Sequence, residues 1–259
     1  MDCVIPTNDR PSRLACTLST LLLQQGCEPR RLYLVDNSER GVCEAIEVKK
    51  AIRALQYAGW DVVHRRSEAR SITAIKMEAL RCGNDPYLVL IDNDILFLRS
   101  DTVASLEAAL DRYQLSAVSP VAFDLDEDRA VLGPYIDAYD RYPPNRDGLL
   151  EATVALGTCI AMNRRDVEEV LSFFRWELPY MEDQAIAHFL KQKNGYAYLR
   201  DHAVLHCGYK EQPSYVFDDL EVVQYLETLC AQEDRYCELL ELRRACRDGA
   251  DFPRGIPTN

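Results

Sequence analysis

The stretch PYLVLIDNDILFL, residues 86–98, contains the pattern that decides the fold. An apolar run leads into Asp92-Asn93-Asp94 and then resumes, which predicts a buried strand that ends in two carboxylates. Such a strand is typical of the middle of a parallel sheet, where both faces are covered. Buried anions are costly unless they are paired or bind a cation. The two acids therefore either end a strand in solvent or mark a site for a divalent metal and the phosphates it carries.

The composition is that of a globular chain. It has 259 residues, is 47% hydrophobic and carries a formal net charge of −12, and it is long enough for one large α/β domain. The net negative charge argues against nucleic acid as a partner, because binding to nucleic acid needs clustered Lys and Arg. No apolar run approaches the roughly 20 residues of a membrane span, and the start MDCVIP has no signal-peptide pattern. We therefore expect a cytoplasmic protein with no membrane span. Its ten cysteines are interpreted as reduced thiols.

Predicted strands and helices alternate along the chain. Strands are predicted at DCVIPT, RRLYLVDNSE, WDVVHRR, PYLVLIDND, LSAVSPVAFD, LLEATVALGTCIAMNR and YAYLRDHAVLH. Helices are predicted in NDRPSRLACTLSTLLLQQG, residues 43–58, ITAIKMEALRC and TVASLEAALDRY. The alternation predicts an α/β fold with a mostly parallel central sheet and helices on both faces. A stretch rich in Glu, Leu and Arg predicts a helical C-terminal appendage, so the expected domains are 1–217 and 218–259.

Acidic residues follow several of these strands. Asp9, Asp36 and the Asp92/Asp94 pair lie at or just beyond strand ends, where open α/β sheets bind ligands. The chain has no GxGxxG after its first strand and no GxxxxGK[ST], so a dinucleotide dehydrogenase and a P-loop NTPase lose their main support. Without a Gly-rich phosphate loop, a metal has to neutralise the phosphates. Mg²⁺ or Mn²⁺ suits carboxylate ligands.

The ordered motifs resemble those of the GT-A-fold glycosyltransferases, in particular glycosyltransferase family 2. VIPTNDRPSRLACTLSTLLLQQ is similar to the family's first strand and helix, LYLVDNSE to its second strand, and LVLIDND to the strand with the DXD motif. LGTCIAMNRRDV resembles the acceptor-side strand, LPYMEDQAIAHFL the segment with a Glu-Asp pair, and HAVLHCG the late strand that delivers a histidine. The match extends over about residues 1–210.

The resemblance implies a Rossmann-like GT-A sheet and an inverting, metal-dependent glycosyltransferase. The donor would be a nucleoside diphosphate sugar, foremost a UDP-sugar, and the acceptor a hydroxyl of a soluble small molecule, peptide or saccharide. A homodimer is left open. The alternatives are a non-catalytic GT-A-like binding domain and a nucleotidylyltransferase. The second alternative usually has a Gly-rich, Arg-containing first loop, which this chain lacks.

The resemblance also implies roles for individual residues. Asp183 would be the general base, and Asp94 and His206 would bind the cofactor, Mn²⁺ or Mg²⁺. The side chains expected to bind the nucleotide sugar form a larger set: Pro6, Thr7, Asp9, Arg10, Asp36, Lys76, Asp92, Asn93, Gly157, Thr158 and Glu182.

Simpler roles stay open for several of these residues. Asp183 could cap the helix that follows it, because Asp is a good N-cap, and Asp36 could form a turn. His206 could be a core histidine, with His202 as its rival for the metal. The basic candidates, Lys76 among them, could be solvated surface residues. In place of the family's Arg-Asn pair the chain has AIKMEAL, which puts a Lys where relatives have a neutral amide.

Overall fold

A computed structural model gives the fold of the protein. It describes residues 1–26, 28, 31–69, 72–124, 148–151, 158–173, 189–190, 193–207, 227 and 230–231. Within these residues, no helix is long and apolar enough to cross a membrane. Most of the predicted appendage, residues 218–259, lies outside the described part, so the domain boundary stays a prediction.

One nine-stranded sheet organises the described residues. Its strands are β1 (Asp2–Thr7), β2 (Arg31–Asp36), β3 (Asp61–Arg66), β4 (Tyr87–Ile91), β5 (Ile95–Phe97), β6 (Ala117–Asp124), β7 (Leu149–Glu151), β8 (Cys159–Asn163) and β9 (Tyr196–His206). The order is β3-β2-β1-β4-β8-β6-β9-β5, and β7 pairs with β9.

Most of the strands point the same way. The neighbours β3, β2, β1 and β4 are parallel, β8 is antiparallel to both β4 and β6, and β9 is parallel to β6. β5 and β7 pair with β9 in the opposite direction. Six strands, β1 to β4, β6 and β9, therefore share one direction, which confirms the mostly parallel sheet.

Helices cover both faces of this sheet, as predicted. The helices in the described part are α1 (Pro11–Leu21), α2 (Ile46–Tyr57), α3 (Ile72–Leu80), α4 (Thr102–Tyr113) and α5 (Arg164–Phe173). Side chains of α1, α2 and α4 pack into one apolar cluster, and those of α3 and α5 into a second. The predicted helix at 43–58 is shorter, because Val42–Glu44 forms a 3₁₀ turn before α2 begins.

Strand β1 shows why the central strands are continuous apolar runs. Its successive side chains alternate between the two clusters, with Cys3 and Ile5 on the side of α1 and Val4 on the side of α3. Both sides are buried, so neither needs a polar residue. Helix α1 contributes Leu14 and Leu18, both fully buried. Burying a Leu side chain stabilises a fold by about 1.5–3 kcal/mol.

The cysteines only partly follow the expectation of reduced thiols. Free thiols are found at Cys3, Cys16, Cys43, Cys82, Cys159 and Cys207. Cys230 is disulfide-bonded, so the expectation of ten reduced thiols is wrong. Cys230 also packs, partly buried, against the cluster on the α3 face, which places a residue of the predicted appendage on the core.

Candidate metal and nucleotide site

The strand directions bring the ends of several strands to one edge of the sheet, here called the carboxyl edge. Thr7 at the end of β1 is in register with Asp36 at the end of β2. Ile91 at the end of β4 is paired with Cys159, because the reversed strand β8 starts where β4 stops. The end of β9, His206, is paired with the first residue of β5. The end of β4, with Asp92 and Asp94 after it, and the end of β9 therefore lie at this edge.

Two hydrogen bonds hold the Asp92-Asn93-Asp94 turn between β4 and β5 in this edge. The Asp92 amide donates to the Thr158 carbonyl oxygen at 2.8 Å. The Asn93 side-chain amide donates to the Thr7 hydroxyl at 3.1 Å. The turn is thus tied to the end of β1 and to the residue before β8. Four of the predicted site residues, Thr7, Asp92, Asn93 and Thr158, lie together.

Asp94 is the centre of a group of basic side chains. Its Oδ2 accepts a hydrogen bond from Arg10 Nη1 at 2.8 Å and lies 4.0 Å from Arg13 Nη1. Its Oδ1 is 3.3 Å from His206 Nε2. The Asp94 carbonyl oxygen also accepts the Cys207 amide at 2.9 Å, which fixes the end of β9 against the turn. The two residues predicted to bind metal, Asp94 and His206, are therefore in contact.

The surroundings of Asp94 keep its carboxylate ionised although it is buried. Burial alone would raise its pKa, but the hydrogen bond and charge of His206 and the charges of Arg10 and Arg13 outweigh burial, so the pKa lies below its ordinary value. Only 4% of the side chain is exposed. A buried, ionised carboxylate is the ligand that a divalent cation requires.

Asp92 is paired with Lys76. The Lys76 Nζ lies 3.2 Å from Asp92 Oδ1, and only 4% of the Lys76 side chain is exposed. The alternative of a solvated surface residue is therefore wrong for Lys76. Buried lysines are rare unless they are paired. In this chain, α3 brings a basic side chain to Asp92, the first acid of the Asp92-Asn93-Asp94 turn.

The three side chains Asp92, Asp94 and His206 fit a divalent metal. Each offers one ligand atom, and these atoms all lie within 4.8 Å of one another. Two carboxylate oxygens suit Mg²⁺ and Mn²⁺, and an imidazole nitrogen favours a transition metal such as Mn²⁺. The donor set of these residues is therefore compatible with either predicted cofactor.

The Asp36 carboxylate belongs to a separate hydrogen-bonded network. Its Oδ1 accepts the Ser38 amide at 2.9 Å and also the Ser38 hydroxyl. Its Oδ2 accepts from Arg66 Nη1 at 3.0 Å and lies 3.2 Å from His64 Nε2. Burial alone would raise the Asp36 pKa. The contacts with Ser38, Arg66 and His64 lower it by more, so the pKa lies below its ordinary value. Asp36 forms the turn that was its simpler alternative, and its contact with a nucleotide stays a prediction.

Asp36, Cys43 and His64 also form a group of metal-ligand type, with ligand atoms within 4.8 Å of one another. Burial and the nearby Asp36 charge raise the pKa of the Cys43 thiol to about 12. A thiol with so high a pKa is protonated at neutral pH. The Arg66 guanidinium already compensates the Asp36 charge, so this group is a closed hydrogen-bonded network.

Of the remaining predicted site residues, the structure describes some and not others. Pro6 is buried within β1, where it pairs with Val35. Asp9 is exposed just beyond β1 and has a positive φ of 28°, which is rare for a residue with a side chain. Unusual backbone of this kind is concentrated at functional sites. Outside the described residues lie Gly157, Glu182 and Asp183.

His202 does not compete with His206 for Asp94. His202 Nε2 lies 3.4 Å from Asp101 Oδ1, before α4, whereas His206 is the residue that meets the DXD turn. Arg13 was not among the predicted site residues, because it lies within α1 and not at the end of a strand. Arg13 follows Arg10 by three residues, the spacing that places two side chains on one helix face, and this spacing was the available signal.

Protein-family models and curated protein sequences give no match to the chain. Solved structures do match. S. aureus TarS 1-349 in complex with UDP-GlcNAc superposes with a TM-score of 0.68 at 14% identity, over 95% of this chain and 72% of that one. GalNAc-T7 with UDP, GalNAc and Mn²⁺ gives a TM-score of 0.67 at 15% identity, over 98% of this chain and 52% of that one.

A third match is the mannosyltransferase PcManGT from Pyrobaculum calidifontis in complex with GDP-Man and Mn²⁺. Its TM-score is 0.59 at 16% identity, over 89% of this chain and 64% of that one. The chain has the GT-A fold. It spans 43% of the length of a longer TarS structure, which also matches.

Proposed function

We propose that this protein is a metal-dependent, inverting glycosyltransferase. It transfers a sugar from a nucleoside diphosphate sugar, foremost a UDP-sugar, to a hydroxyl of a soluble acceptor in the cytoplasm. The observation that carries the proposal is the meeting of Asp92, Asp94 and His206 at the carboxyl edge of a GT-A fold. Open α/β sheets bind their ligands at this edge.

The ligands of the structural neighbours support a nucleotide sugar as the donor. TarS was solved with UDP-GlcNAc, PcManGT with GDP-Man and Mn²⁺, and GalNAc-T7 with UDP, GalNAc and Mn²⁺. The cluster in this chain has the donor atoms for the same kind of cation. Mn²⁺ is therefore the cofactor with which we would begin, and Mg²⁺ the next.

Asp94 and His206, with Asp92 beside them, would hold the metal. When bound, such a cation neutralises the charge that develops on a leaving diphosphate. The chain's own cations lie next to the same place, since Arg10 contacts Asp94 and Lys76 contacts Asp92. These side chains would orient the diphosphate and balance its charge.

The acceptor hydroxyl must lose a proton during an inverting displacement. We assign this step to Asp183, which the resemblance places in the Glu-Asp pair of LPYMEDQAIAHFL. A positioned general base typically contributes about 10²–10⁴-fold to the rate. An attack from the face opposite to the leaving group inverts the anomeric carbon, because bond formation and bond cleavage occur in one step.

The proposal is tested with purified protein, Mn²⁺ and a panel of UDP-GlcNAc, UDP-glucose, UDP-galactose and GDP-mannose. We expect release of the nucleoside diphosphate from at least one donor. Chelation should abolish the release and added Mn²⁺ should restore it. Asp94→Asn should lose metal-dependent nucleotide affinity in calorimetry. Asp183→Asn should bind nucleotide normally and turn over at least about 100-fold more slowly.

Asp101→Asn is the matched control, because Asp101 pairs with Arg99 and His202 away from the cluster. It removes one carboxylate and should leave nucleotide affinity unchanged. Unaltered affinity in Asp94→Asn, with native unfolding behaviour, would refute the metal site. Tight nucleotide binding without turnover on any donor would favour the non-catalytic binding domain.

A further inference from the structure

Arg10 binds the carboxylate of Asp94, whose oxygen lone pairs a bound metal would need. Its Nη1 donates to Asp94 Oδ2 at 2.8 Å, while His206 lies at 3.3 Å from the other oxygen. Asp94 is buried, so solvent offers it few other partners. A cation bound by Asp94 and His206 would share a carboxylate with a guanidinium, and two positive charges in so small a space repel each other strongly.

The two cations of the site are held differently. Lys76 is buried within α3, with 4% of its side chain exposed, and its amine is paired with Asp92 at 3.2 Å. Arg10 precedes Pro11, the first residue of α1, and 24% of its side chain is exposed. A partly exposed Arg side chain at a helix start can change partner at smaller cost than a fully buried one.

We propose that Arg10 competes with the divalent cation for Asp94 and passes to the donor diphosphate when the cation binds. This inference rests on the proposed function and adds a competing residue to its metal site. Arg10 keeps the buried Asp94 charge compensated until metal arrives. The displaced guanidinium then faces the mouth of the sheet, where a diphosphate offers it two acceptor oxygens.

If Arg10 competes with the cation, one substitution should change the affinities for Mn²⁺ and for UDP in opposite directions. In Arg10→Gln, Mn²⁺ no longer has to displace a charge-assisted hydrogen bond, so the protein without nucleotide should bind Mn²⁺ roughly tenfold more tightly. The same variant lacks the guanidinium for the diphosphate, so UDP in saturating Mn²⁺ should bind roughly tenfold more weakly. A purely structural role would weaken both affinities together.

Calorimetry measures Mn²⁺ alone, and then UDP and GDP at saturating Mn²⁺, for the wild type and the variants. Arg13→Gln is the matched control, because Arg13 lies farther from the same oxygen, at 4.0 Å instead of 2.8 Å. It should change the Mn²⁺ affinity by less than Arg10→Gln does. Arg10→Lys keeps a cation and should bind Mn²⁺ like the wild type, which tests the idea even if Arg10→Gln is poorly folded.

Mn²⁺ affinity that is unchanged or weaker in Arg10→Gln overturns the competition, even when the wild type binds Mn²⁺ and UDP normally. Absence of Mn²⁺ binding in both proteins overturns the competition and the proposed metal site together. Tighter Mn²⁺ binding with no nucleotide binding in either protein supports competition at Asp94 and counts against the proposed function.

Discussion

At the scale of single residues, Asp36 is a buried carboxylate whose ionised form is stabilised by its neighbours. Its pKa is lowered in the folded protein, because Ser38, Arg66 and His64 outweigh the effect of burial. A lowered pKa gives stability that is fully present above the ordinary Asp value of about 3.9 and is lost as the pH falls through the folded value. We therefore expect the free energy of unfolding to decrease below about pH 4.

Replacing Asp36 with Asn should remove this pH-dependent part and destabilise the protein by about 1–3 kcal/mol at neutral pH, through the lost hydrogen bonds. Urea unfolding at several pH values measures both effects. Glu44→Gln is the control, since Glu44 is largely exposed and pairs with Lys49 at the surface. If Asp36→Asn has the same acid sensitivity as the wild type, other carboxylates carry the effect.

Asp92, Asp94 and His206 could be named from the sequence as candidate site residues, but the contacts that surround them could not. Asp92 and Asp94 follow an apolar run, and a pattern of this kind indicates the end of a buried strand. The pairing of Arg10 with Asp94 and of Lys76 with Asp92 depends on how α1 and α3 pack on the sheet. Periodicity gives a helix its buried face but not its partner across the sheet.

At the scale of secondary structure, the sequence predicts most elements and misses strand direction. An apolar run has the same pattern whether its strand is parallel or antiparallel, so the reversed strand β8 between β4 and β6 could not be foreseen. The run of residues 86–98 forms two strands, because the DXD turn directs β5 away from β4 to pair with β9. This turn also explains why His206 meets Asp94.

The turn between α3 and β4 supplies a test at this scale. Gly83 has a φ of +75°, and a Cβ there would lie 2.1 Å from an oxygen of buried Asp2. Asp2 cannot move easily, because it pairs with Arg164 at 3.0 Å and accepts the Asn84 amide at 2.9 Å. Gly83→Ala should therefore destabilise the protein by more than about 4 kcal/mol, the range reached by severe core disruption.

Gly59 isolates the backbone part of this effect. Its φ is +89°, yet a Cβ at Gly59 would meet no atom within 4 Å. Gly59→Ala should cost about 1–2 kcal/mol, the strain of a left-handed residue alone. Urea unfolding of both variants gives the difference. Equal losses of stability in the two variants would mean that Asp2 moves aside without cost. The short distance between Gly83 and Asp2 would then have no structural importance.

At the scale of the whole molecule, the two opposite edges of the sheet, at the two ends of its parallel strands, carry different groups. The carboxyl edge gathers the DXD turn, Thr158 and the end of β9. The opposite edge is closed by Asp2, whose carboxylate accepts the amides of Asn84 and Asp85 at 2.9 Å. The carboxyl edge therefore gathers basic side chains around Asp94, while Asp2 at the opposite edge forms ion pairs with Arg31 and Arg164.

Amide hydrogen exchange can compare these two edges within one protein. Mn²⁺ with UDP should slow exchange at the Asp92 and Cys207 amides, which hold the DXD turn through Thr158 and Asp94. The Asn84 and Asp85 amides at the opposite edge should change little where exchange occurs by local opening. Equal slowing at both edges would report only the overall stabilisation that any ligand gives. Slowing confined to Asn84 and Asp85 would place the ligand at the wrong end of the sheet and contradict the site proposed at Asp94.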